Sequence, residues 1–304
     1  MHITFKQLQV FEMAASHLSI TRAAEQLHMS QPAVSMQVKQ MEENLDVSLF
    51  ERVGKKIFLT EAGQEMFRYS RRIGQLLEEA DEVMQEFKGL HRGSLAISVA
   101  TTAGYFATRL LAAFSQENPE ISVSLDVTNR ESLLLQLDNN QCDMVIMGEP
   151  PANRGLSSES FMENPLVMVA SPGHPLAGEA HIPVQRFENE SFVVRETGSG
   201  TRAAIERFFH DNDVAFHTRM EMTSNEAIKQ SVQAGLALGI ASIHTLELEL
   251  QTGKLVVLDV EGLPINRQWH LVQRKGKRLS PIAKTFSQYA IDNAAKFIVE
   301  QKNS

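Results

Sequence analysis

The segment from Glu61 to Phe87 contains no proline, and its apolar residues repeat with a period of seven. The repeated positions form two interleaved sets: Met66, Ile73, Ala80 and Phe87, then Tyr69, Leu76 and Val83. This is the a/d pattern of a helix that packs against another helix. The segment therefore predicts one long helix that joins two domains and pairs with a second copy of the chain. The alternative is that its apolar stripe packs on the chain's own C-terminal domain.

Composition narrows the class of protein. The chain has 304 residues, 43% hydrophobic and 22% charged, as expected for a globular protein of about two domains. It contains no run of about 18 apolar residues and no apolar signal core, so neither a membrane span nor export is predicted. A single cysteine, Cys142, excludes an internal disulfide. We therefore expect a cytoplasmic protein.

Three short helical patterns occupy the N-terminal part of the chain. Apolar spacing predicts a first helix over residues 5–16, and Thr21 is the expected N-cap of a second helix over residues 22–28. Ser30 is the expected cap of a third helix, with Pro32 in its first turn, where proline is tolerated. Two short helices, a tight turn and a third helix form the pattern of a helix-turn-helix.

The third helix has two distinct faces. Its apolar stripe consists of Val34, Val38, Met41 and Leu45. Gln31, Ser35 and Lys39 lie four residues apart and share a polar face. Gln can pair with adenine, Ser with several bases, and Lys with guanine or phosphate, so this face suits a DNA major groove. The alternative is a three-helix packing module whose polar face is simply solvated.

Residues 50–59 predict a small β-hairpin, or wing, that turns at Gly54 and carries Lys55 and Lys56 at its tip. The net charge of −8 gives no support to nucleic-acid binding. Over residues 1–60 the basic and acidic side chains balance. Contact with DNA would therefore depend on where the charges lie, because their sum is zero.

The motifs Phe5–Phe11, Thr21–Leu27, Ser30–Glu42, Leu49–Arg52 and Leu59–Gly63 resemble those of the LysR-type transcriptional regulators. The resemblance covers the whole N-terminal domain. It implies a set of DNA-contacting residues: Thr21, Arg22, Ser30, Gln31, Pro32, Ser35, Lys39, Arg52 and Lys55. Family wings often carry two arginines where this chain has Arg-Val-Gly-Lys. The resemblance also implies a winged helix-turn-helix over residues 1–60, a dimer-forming linker helix over 61–90, and dimers that join into a homotetramer.

Strand and helix patterns alternate through the rest of the chain. Strands are predicted over 95–100, 121–127, 143–147, 166–170, 192–195, 219–222, 237–241 and 268–273, and helices over 105–114, 131–137, 201–211, 225–234 and from 281 onward. This alternation predicts an α/β fold with parallel sheets covered by helices on both faces. We expect two lobes, one of about residues 91–165 plus 267–304 and one of 166–266. They resemble the effector-binding domains of LysR-type regulators, which resemble periplasmic binding proteins that close around a ligand.

Ligands of such sheets bind beyond the C-terminal ends of the strands. That rule selects polar and charged residues from both lobes: Thr101, Thr102, Asn129, Arg130, Glu149, Arg195, Thr197, Gly198, Ser199, Thr201, Arg202 and Asn225. Several stand at helix starts, where free N–H groups favour an anion. Ser199 and Thr201 would donate, and Arg202 would supply a countercharge that its place in a first turn otherwise disfavours. Alternatively, these residues are ordinary caps and surface charges, with Thr101 and Thr102 capping the following helix.

Catalytic signatures are missing from the sequence. It has no P-loop and no nucleophile elbow, and its ten histidines are scattered without metal-ligand spacing. We therefore predict no catalytic residue, no metal and no cofactor. The predicted function is a DNA-binding regulator that is switched by a small anionic effector. A constitutive DNA-binding protein with a vestigial pocket is the alternative.

The start Met1–Phe11, the third helix and Arg195–Arg202 are similar to LysR-type regulators of carbon-fixation (RuBisCO and Calvin-cycle) operons. This similarity implies a sugar phosphate, phosphoenolpyruvate or NADPH as effector. Gly-Ser-Gly-Thr-Arg turns also occur in sulfur and nitrogen regulators, which remain an alternative. The implied partners are double-stranded promoter DNA, a small-molecule effector and further copies of the chain, with RNA polymerase as another candidate.

Overall fold

A computed structural model describes residues 3–54, 56–87 and 93–297, with side chains omitted at 78, 79, 82, 83 and 85–87. The chain divides into two compact units, residues 1–90 and 91–304. The elements of the first unit run in the order α1 (Phe5–His17), α2 (Ile20–Gln26), α3 (Gln31–Leu45), β1 (Phe50–Val53), β2 (Lys56–Leu59) and α4 (Glu61–Phe87). The predicted helix-turn-helix, hairpin and long helix are all confirmed.

The start of α2 corrects one prediction. The helix begins at Ile20, one residue before Thr21, and its N-cap is Ser19. The Ser19 backbone is extended, and its hydroxyl accepts a hydrogen bond from the Arg22 N–H at 3.3 Å. Thr21 lies inside the helix and is exposed. Both residues can cap, and Ser19 does so because the tight turn after α1 places it first. The predicted Ser30 cap of α3 is confirmed, with its hydroxyl 3.4 Å from the Ala33 N–H.

The side chains of α3 hold the first unit together. Val34, Val38 and Met41 are buried, as predicted, while Leu45 is only half-buried. At the end of the helix, the Glu42 carboxylate accepts hydrogen bonds from the N–H groups of Leu49 (2.7 Å) and Phe50 (3.1 Å). Glu42 thereby fixes the start of the wing against α3.

Close packing explains the Leu59–Gly63 motif at the start of α4. The Thr60 hydroxyl accepts a hydrogen bond from the Gly63 N–H at 3.0 Å and donates one to the Ser48 carbonyl at 2.7 Å. A Cβ atom at Gly63 would stand 2.0 Å from the Leu49 carbonyl oxygen. Only glycine allows this approach, which seats α4 on the wing.

The second unit contains two five-stranded sheets. Its strands are β3 (Gly93–Ala100), β4 (Ile121–Thr128), β5 (Met144–Met147), β6 (Leu156–Glu163), β7 (Leu166–Ala170), β8 (Ser191–Arg195), β9 (His217–Met222), β10 (Leu238–Ser242), β11 (Val256–Val257) and β12 (Gln268–Arg274). Its helices are α5 (Gly104–Glu117), α6 (Arg130–Asp138), α7 (Gly200–Asp211), α8 (Asn225–Gln233), α9 (Glu247–Gln251) and α10 (Pro281–Asn293). We call the sheet β4-β3-β5-β12-β6 lobe I and the sheet β11-β7-β10-β8-β9 lobe II.

The sheets are mixed, which corrects the prediction of parallel sheets. In lobe I, β3, β4 and β5 run parallel, whereas β12 runs antiparallel to both β5 and β6. In lobe II, β8 is parallel to β9 and β10, whereas β7 is antiparallel to β10 and β11. The reversed strands flank the two crossings between lobes, after β6 and before β12. Sequence analysis missed β6, because four of its residues are exposed in succession and break the apolar alternation.

Candidate functional site

The predicted DNA-contacting residues lie on the surface of the first unit. Every one of them that the structure describes is exposed: Thr21, Arg22, Ser30, Gln31, Pro32, Ser35, Lys39 and Arg52. Lys55 lies outside the described residues. The wing hairpin pairs Phe50 with Leu59 and turns at Gly54, whose φ of 64° suits glycine. An exposed polar helix face beside a short hairpin has the shape that a winged helix presents to DNA.

Two features of α3 leave its polar face available. The opposite face is filled by Val34 and Val38, which are buried against α1 and α2. Lys39 forms an intrahelical pair with Glu43 at 3.6 Å, and both side chains are well exposed. Such an exposed pair contributes little to stability, so Lys39 can exchange Glu43 for a phosphate at little cost.

Several apolar side chains along α4 are exposed in the part of the first unit that the structure describes. Tyr69 is 56% exposed, Ile73 38% and Leu76 61%. Met66, at the start of the same predicted stripe, packs against the core of the first unit instead. Val83 and Phe87 have side chains outside the described residues. Apolar side chains at a and d positions that face solvent are typical of a helix that pairs with another.

The second unit contains an open cleft between its two sheets. The strand ends of lobe I contribute Thr101, Thr102, Asn129, Arg130 and Gly148, and lobe II contributes Arg195, Glu196, Ser199, Gly200 and Thr201. The crossing segments add Asn164, Arg267 and Trp269.

Seven of the twelve predicted effector residues line this cleft: Thr101, Thr102, Asn129, Arg130, Arg195, Ser199 and Thr201. Five others do not line it: Glu149, Thr197, Gly198, Arg202 and Asn225. Of these, the Glu149 carbonyl accepts from Arg130 at 2.7 Å, and the Asn225 amide oxygen accepts from Arg195 at 2.8 Å. Glu149 and Asn225 therefore hold the side chains of Arg130 and Arg195, which line the cleft.

Arg202 is a correction to the predicted site. Its guanidinium pairs with Glu206 at 2.7 Å and also with Glu221. These two carboxylates supply the negative charge that we expected from a bound anion. The hydrogen bonds that Arg202 donates to Glu206 and Glu221 raise the pKa of Arg202, and the bond from Arg202 lowers the pKa of Glu221. Arg202 is thus neutralised by the protein itself.

Arg195 is also neutralised by a neighbour. It is 4% exposed and donates two hydrogen bonds to Glu196, at 2.7 and 2.8 Å. Its Nη1 group donates to the Asn225 amide oxygen. The pair is therefore a polar wall of the cleft without a net charge.

Arg130 and Arg267 provide the positive charge of the cleft. Arg267 donates to the Gly200 carbonyl at 3.1 Å, and no carboxylate of the described residues forms a salt bridge with either guanidinium. Burial and then repulsion from Arg130 and Arg207 lower the pKa of Arg267, and burial lowers the pKa of Arg130. The Glu149 carboxylate partly offsets both shifts. Arginine remains protonated in proteins, so both side chains keep their positive charge and could bind an anion.

The start of α7 adds backbone donors beside these charges. Its N-cap, Ser199, makes no side-chain cap hydrogen bond. The first-turn amides of a helix lack intrahelical acceptors and carry the positive end of its dipole. Thr101 and Thr102 also do not cap α5, which corrects that prediction: the N-cap is Ala103, without a side-chain bond. Asn129 does cap α6, accepting from Ser132 at 2.9 Å.

Sequence analysis missed Arg267, Asn164 and Trp269. They lie on the two crossing segments between lobes, and the strand-end rule does not select such segments. Gly148 makes room for Arg267, because a Cβ there would stand 2.5 Å from its Nη2 atom. The predicted strand at 268–273 could have pointed to Arg267 and Trp269, because a strand that follows a crossing between lobes begins beside the cleft.

Other chemistries find little support in the part of the chain that the structure describes. It holds no group of three metal-ligating side chains and no helix long and apolar enough to cross a membrane. Cys142 is buried, and burial raises the pKa of its thiol to about 11. The thiol is therefore protonated at neutral pH and is a poor nucleophile.

Comparison with known proteins gives the following matches. Residues 5–64 match the model of the bacterial regulatory helix-turn-helix protein, lysR family, and residues 88–295 match the LysR substrate binding domain. A RuBisCO operon transcriptional regulator of Allochromatium vinosum is 56% identical over 97% of this chain and 98% of its own length.

Two solved structures are also similar. The regulatory domain of CcmR from Synechocystis PCC6803, in complex with 2-PG, is 43% identical with a TM-score of 0.64, covering 66% of this chain and 97% of that one. Full-length CbnR complexed with its target DNA has a TM-score of 0.69 over 96% of this chain and 99% of that one. At 20% identity, CbnR supports the fold alone.

Proposed function

Because the chain belongs to the LysR family of transcriptional regulators, we propose that it controls a carbon-fixation operon in response to a small anionic metabolite. The observation that carries the proposal is the pair of half-buried guanidiniums, Arg130 and Arg267, which form no salt bridge with a described carboxylate and lie at the uncapped start of α7. Partial burial costs these two cations some of their hydration, and an anionic ligand would offset that cost and their mutual repulsion. An anion there would contact both lobes.

The choice of operon and ligand rests on the relatives. The A. vinosum relative regulates a RuBisCO operon by its name, and 56% identity over nearly the full length supports a related target. CcmR holds 2-PG, which makes 2-PG the first ligand to test, ahead of sugar phosphates, phosphoenolpyruvate and NADPH. Since the proposed activity requires promoter DNA, we place the protein in the cytoplasm.

Ligand binding is tested by thermal shift of the second unit's transition in the full chain. Wild type is expected to gain stability with 2-PG as RT ln(1 + [L]/Kd) requires, about 2.7 kcal/mol at a hundredfold excess over Kd. Arg267→Gln should lose this gain. Arg274→Gln is the matched control, since Arg274 lies at the far end of β12 and donates to the Asp138 carbonyl. Equal shifts in wild type and Arg267→Gln would refute the assignment of the cleft.

DNA reading is tested by gel shift on the DNA upstream of the chain's own gene. Gln31→Ala should lose sequence-specific binding by about 1–3 kcal/mol while its fold is retained. Gln40→Ala is the control. Gln40 is also exposed on α3, but it lies on the opposite side of the helix, about 180° round the axis from Gln31. Unchanged specificity in Gln31→Ala would remove α3 from the proposed interface.

The assembly follows from the exposed stripe of α4. We propose that Tyr69, Ile73 and Leu76 pair with the same residues of a second copy, and that dimers associate further into a tetramer. A symmetric pair of winged helices reads a pseudo-palindromic site, which is the reason for dimerisation in a DNA-binding protein. RNA polymerase remains a candidate partner of the assembled protein.

A further inference from the structure

Asn164 lies at the first crossing between lobes, directly after β6. It is 2% exposed, and its N–H donates to the Arg267 carbonyl at 2.8 Å, which ties the two crossing segments together. Its side chain lines the cleft, yet its Oδ1 atom is buried without a hydrogen-bond partner among the described residues.

Trp269 lies beside it, near the start of β12. It is also 2% exposed, and its ring packs against Phe106 with centroids 5.6 Å apart. Trp269 lines the same cleft, and its Nε1 atom is likewise buried without a partner among the described residues. Packing against Phe106 fixes the ring, so the indole N–H cannot turn away to find an acceptor elsewhere.

Two unpartnered groups in one cleft require an explanation. A buried polar group left without a partner is destabilising, and native proteins keep few of them. Here one donor and one acceptor line a cavity whose charged residues already suggest a ligand. We propose that Asn164 and Trp269 form an uncharged half of the effector site, which binds a second oxygen-bearing group of the effector.

This inference rests on the proposed function and narrows the ligand class. Arg130, Arg267 and the α7 amides take the anionic group, and Asn164 and Trp269 take a hydroxyl or carboxyl group on the same molecule. A hydroxyl group accepts from the indole N–H and donates to Asn164 Oδ1. A carboxylate accepts from the indole N–H and, once the Asn164 amide turns over, from its Nδ2 group. The site therefore discriminates against anions with only one polar group, because these leave the buried pair unpartnered.

The first test compares ligands with one and two polar groups by calorimetry on the full chain. The two-group ligand is whichever of 2-PG and phosphoenolpyruvate binds wild type more tightly, and ethyl phosphate is the one-group ligand. Trp269→Phe keeps the ring and removes the N–H. It should weaken the two-group ligand by about tenfold or more and leave ethyl phosphate within about twofold. Asn164→Leu should discriminate in the same direction, whereas Arg267→Gln should weaken both ligands.

A second measurement needs no variant. Trp269 is the only tryptophan of the chain, so the protein gives a single indole N–H resonance in a ¹H–¹⁵N spectrum. The two-group ligand should move that resonance downfield, as expected for a new hydrogen bond, and ethyl phosphate should leave it nearly in place.

The outcomes separate the two proposals. If wild type binds none of the ligands, the proposed function fails and this inference fails with it. If wild type binds both, but Trp269→Phe affects them equally or not at all and the indole resonance stays in place, the inference alone is overturned.

Discussion

Arg267 and Arg202 show that the role of an arginine in the ligand site depends on the charges around it. Arg202 pairs directly with two carboxylates of its own chain. Arg267 instead faces Arg130, donates to a backbone carbonyl and, among the described residues, has only Glu149, outside salt-bridge distance, as an opposite charge. Repulsion between Arg130 and Arg267 lowers the pKa of Arg267, after burial. The free protein therefore carries an electrostatic cost that an anion removes.

This cost predicts a trade between stability and binding. Arg267→Gln should raise the melting temperature of the ligand-free second unit by about 1–4 °C, since about 1 kcal/mol moves a unit of this size by 2–4 °C. The same variant should lose its response to 2-PG. Calorimetric melting of wild type, Arg267→Gln and the Arg274→Gln control checks both effects. A lower melting temperature in Arg267→Gln alone would mean that the guanidinium supports the fold.

His244 gives a prediction about pH. The ring is buried, its Nε2 lies 2.8 Å from the Glu163 carbonyl, and burial, with repulsion from Arg109, lowers its pKa despite that carbonyl. A folded-state pKa below the unfolded value, about 6.5, contributes stability that is present above that pH and lost as pH falls. The melting temperature should therefore fall between pH 7 and 5, and less steeply in His244→Gln. Burial also lowers the pKa of His270, so part of the slope should remain. Identical slopes would contradict this role for His244.

Among the elements, those with periodic apolar faces were predictable. The bounds of α4 agree with the heptad segment, and the wing and α3 agree with their spacing. The misplaced cap of α2 and the missed strand β6 have local causes: two candidate caps, Ser19 and Thr21, only two residues apart, and a strand with an exposed polar run. The reversed orientation of β7 and β12 follows from the long-range crossings between lobes, on which local sequence carries no signal.

The packing of α4 on the wing predicts a severe effect from one methyl group. Gly63→Ala would place a Cβ atom 2.0 Å from the Leu49 carbonyl and force the helix or the wing to move. We expect the first unit to lose about 2–4 kcal/mol of unfolding free energy. Gly74→Ala, in the same helix, meets only the Glu12 side chain at 3.6 Å and should be neutral or stabilising. Denaturant unfolding of both variants measures the difference, and equal stability would refute the close contact.

The apolar stripe of α4 predicts the oligomeric state. Leu76→Asp puts a charge into the proposed helix pair and should shift the protein to monomers at micromolar concentration in analytical ultracentrifugation. Gln64→Asp, an exposed position off the a/d stripe, should leave the assembly intact. An unchanged sedimentation profile for Leu76→Asp would mean that another surface holds the copies together.

At the scale of the whole molecule, one chain contains a DNA-binding unit and a ligand-binding unit. The ligand can act on DNA binding only if its affinity differs between two arrangements of the assembled protein. The charged half of the site was partly predictable, since Arg130, Ser199 and Thr201 follow strand ends. The contribution of the crossing segments was not, because Asn164, Arg267 and Trp269 come together only when the two lobes are folded.

The most direct test of the central claim measures DNA binding and bending by fluorescence anisotropy and energy transfer, with and without ligand. The panel is 2-PG, a sugar phosphate, phosphoenolpyruvate and NADPH, on wild type and Arg267→Gln. We expect at least one ligand to change the affinity or the bend with wild type, by about 5–150-fold for affinity. Arg267→Gln should bind the same DNA without responding. A wild type that ignores the whole panel, or an Arg267→Gln protein that responds as wild type does, would contradict the account.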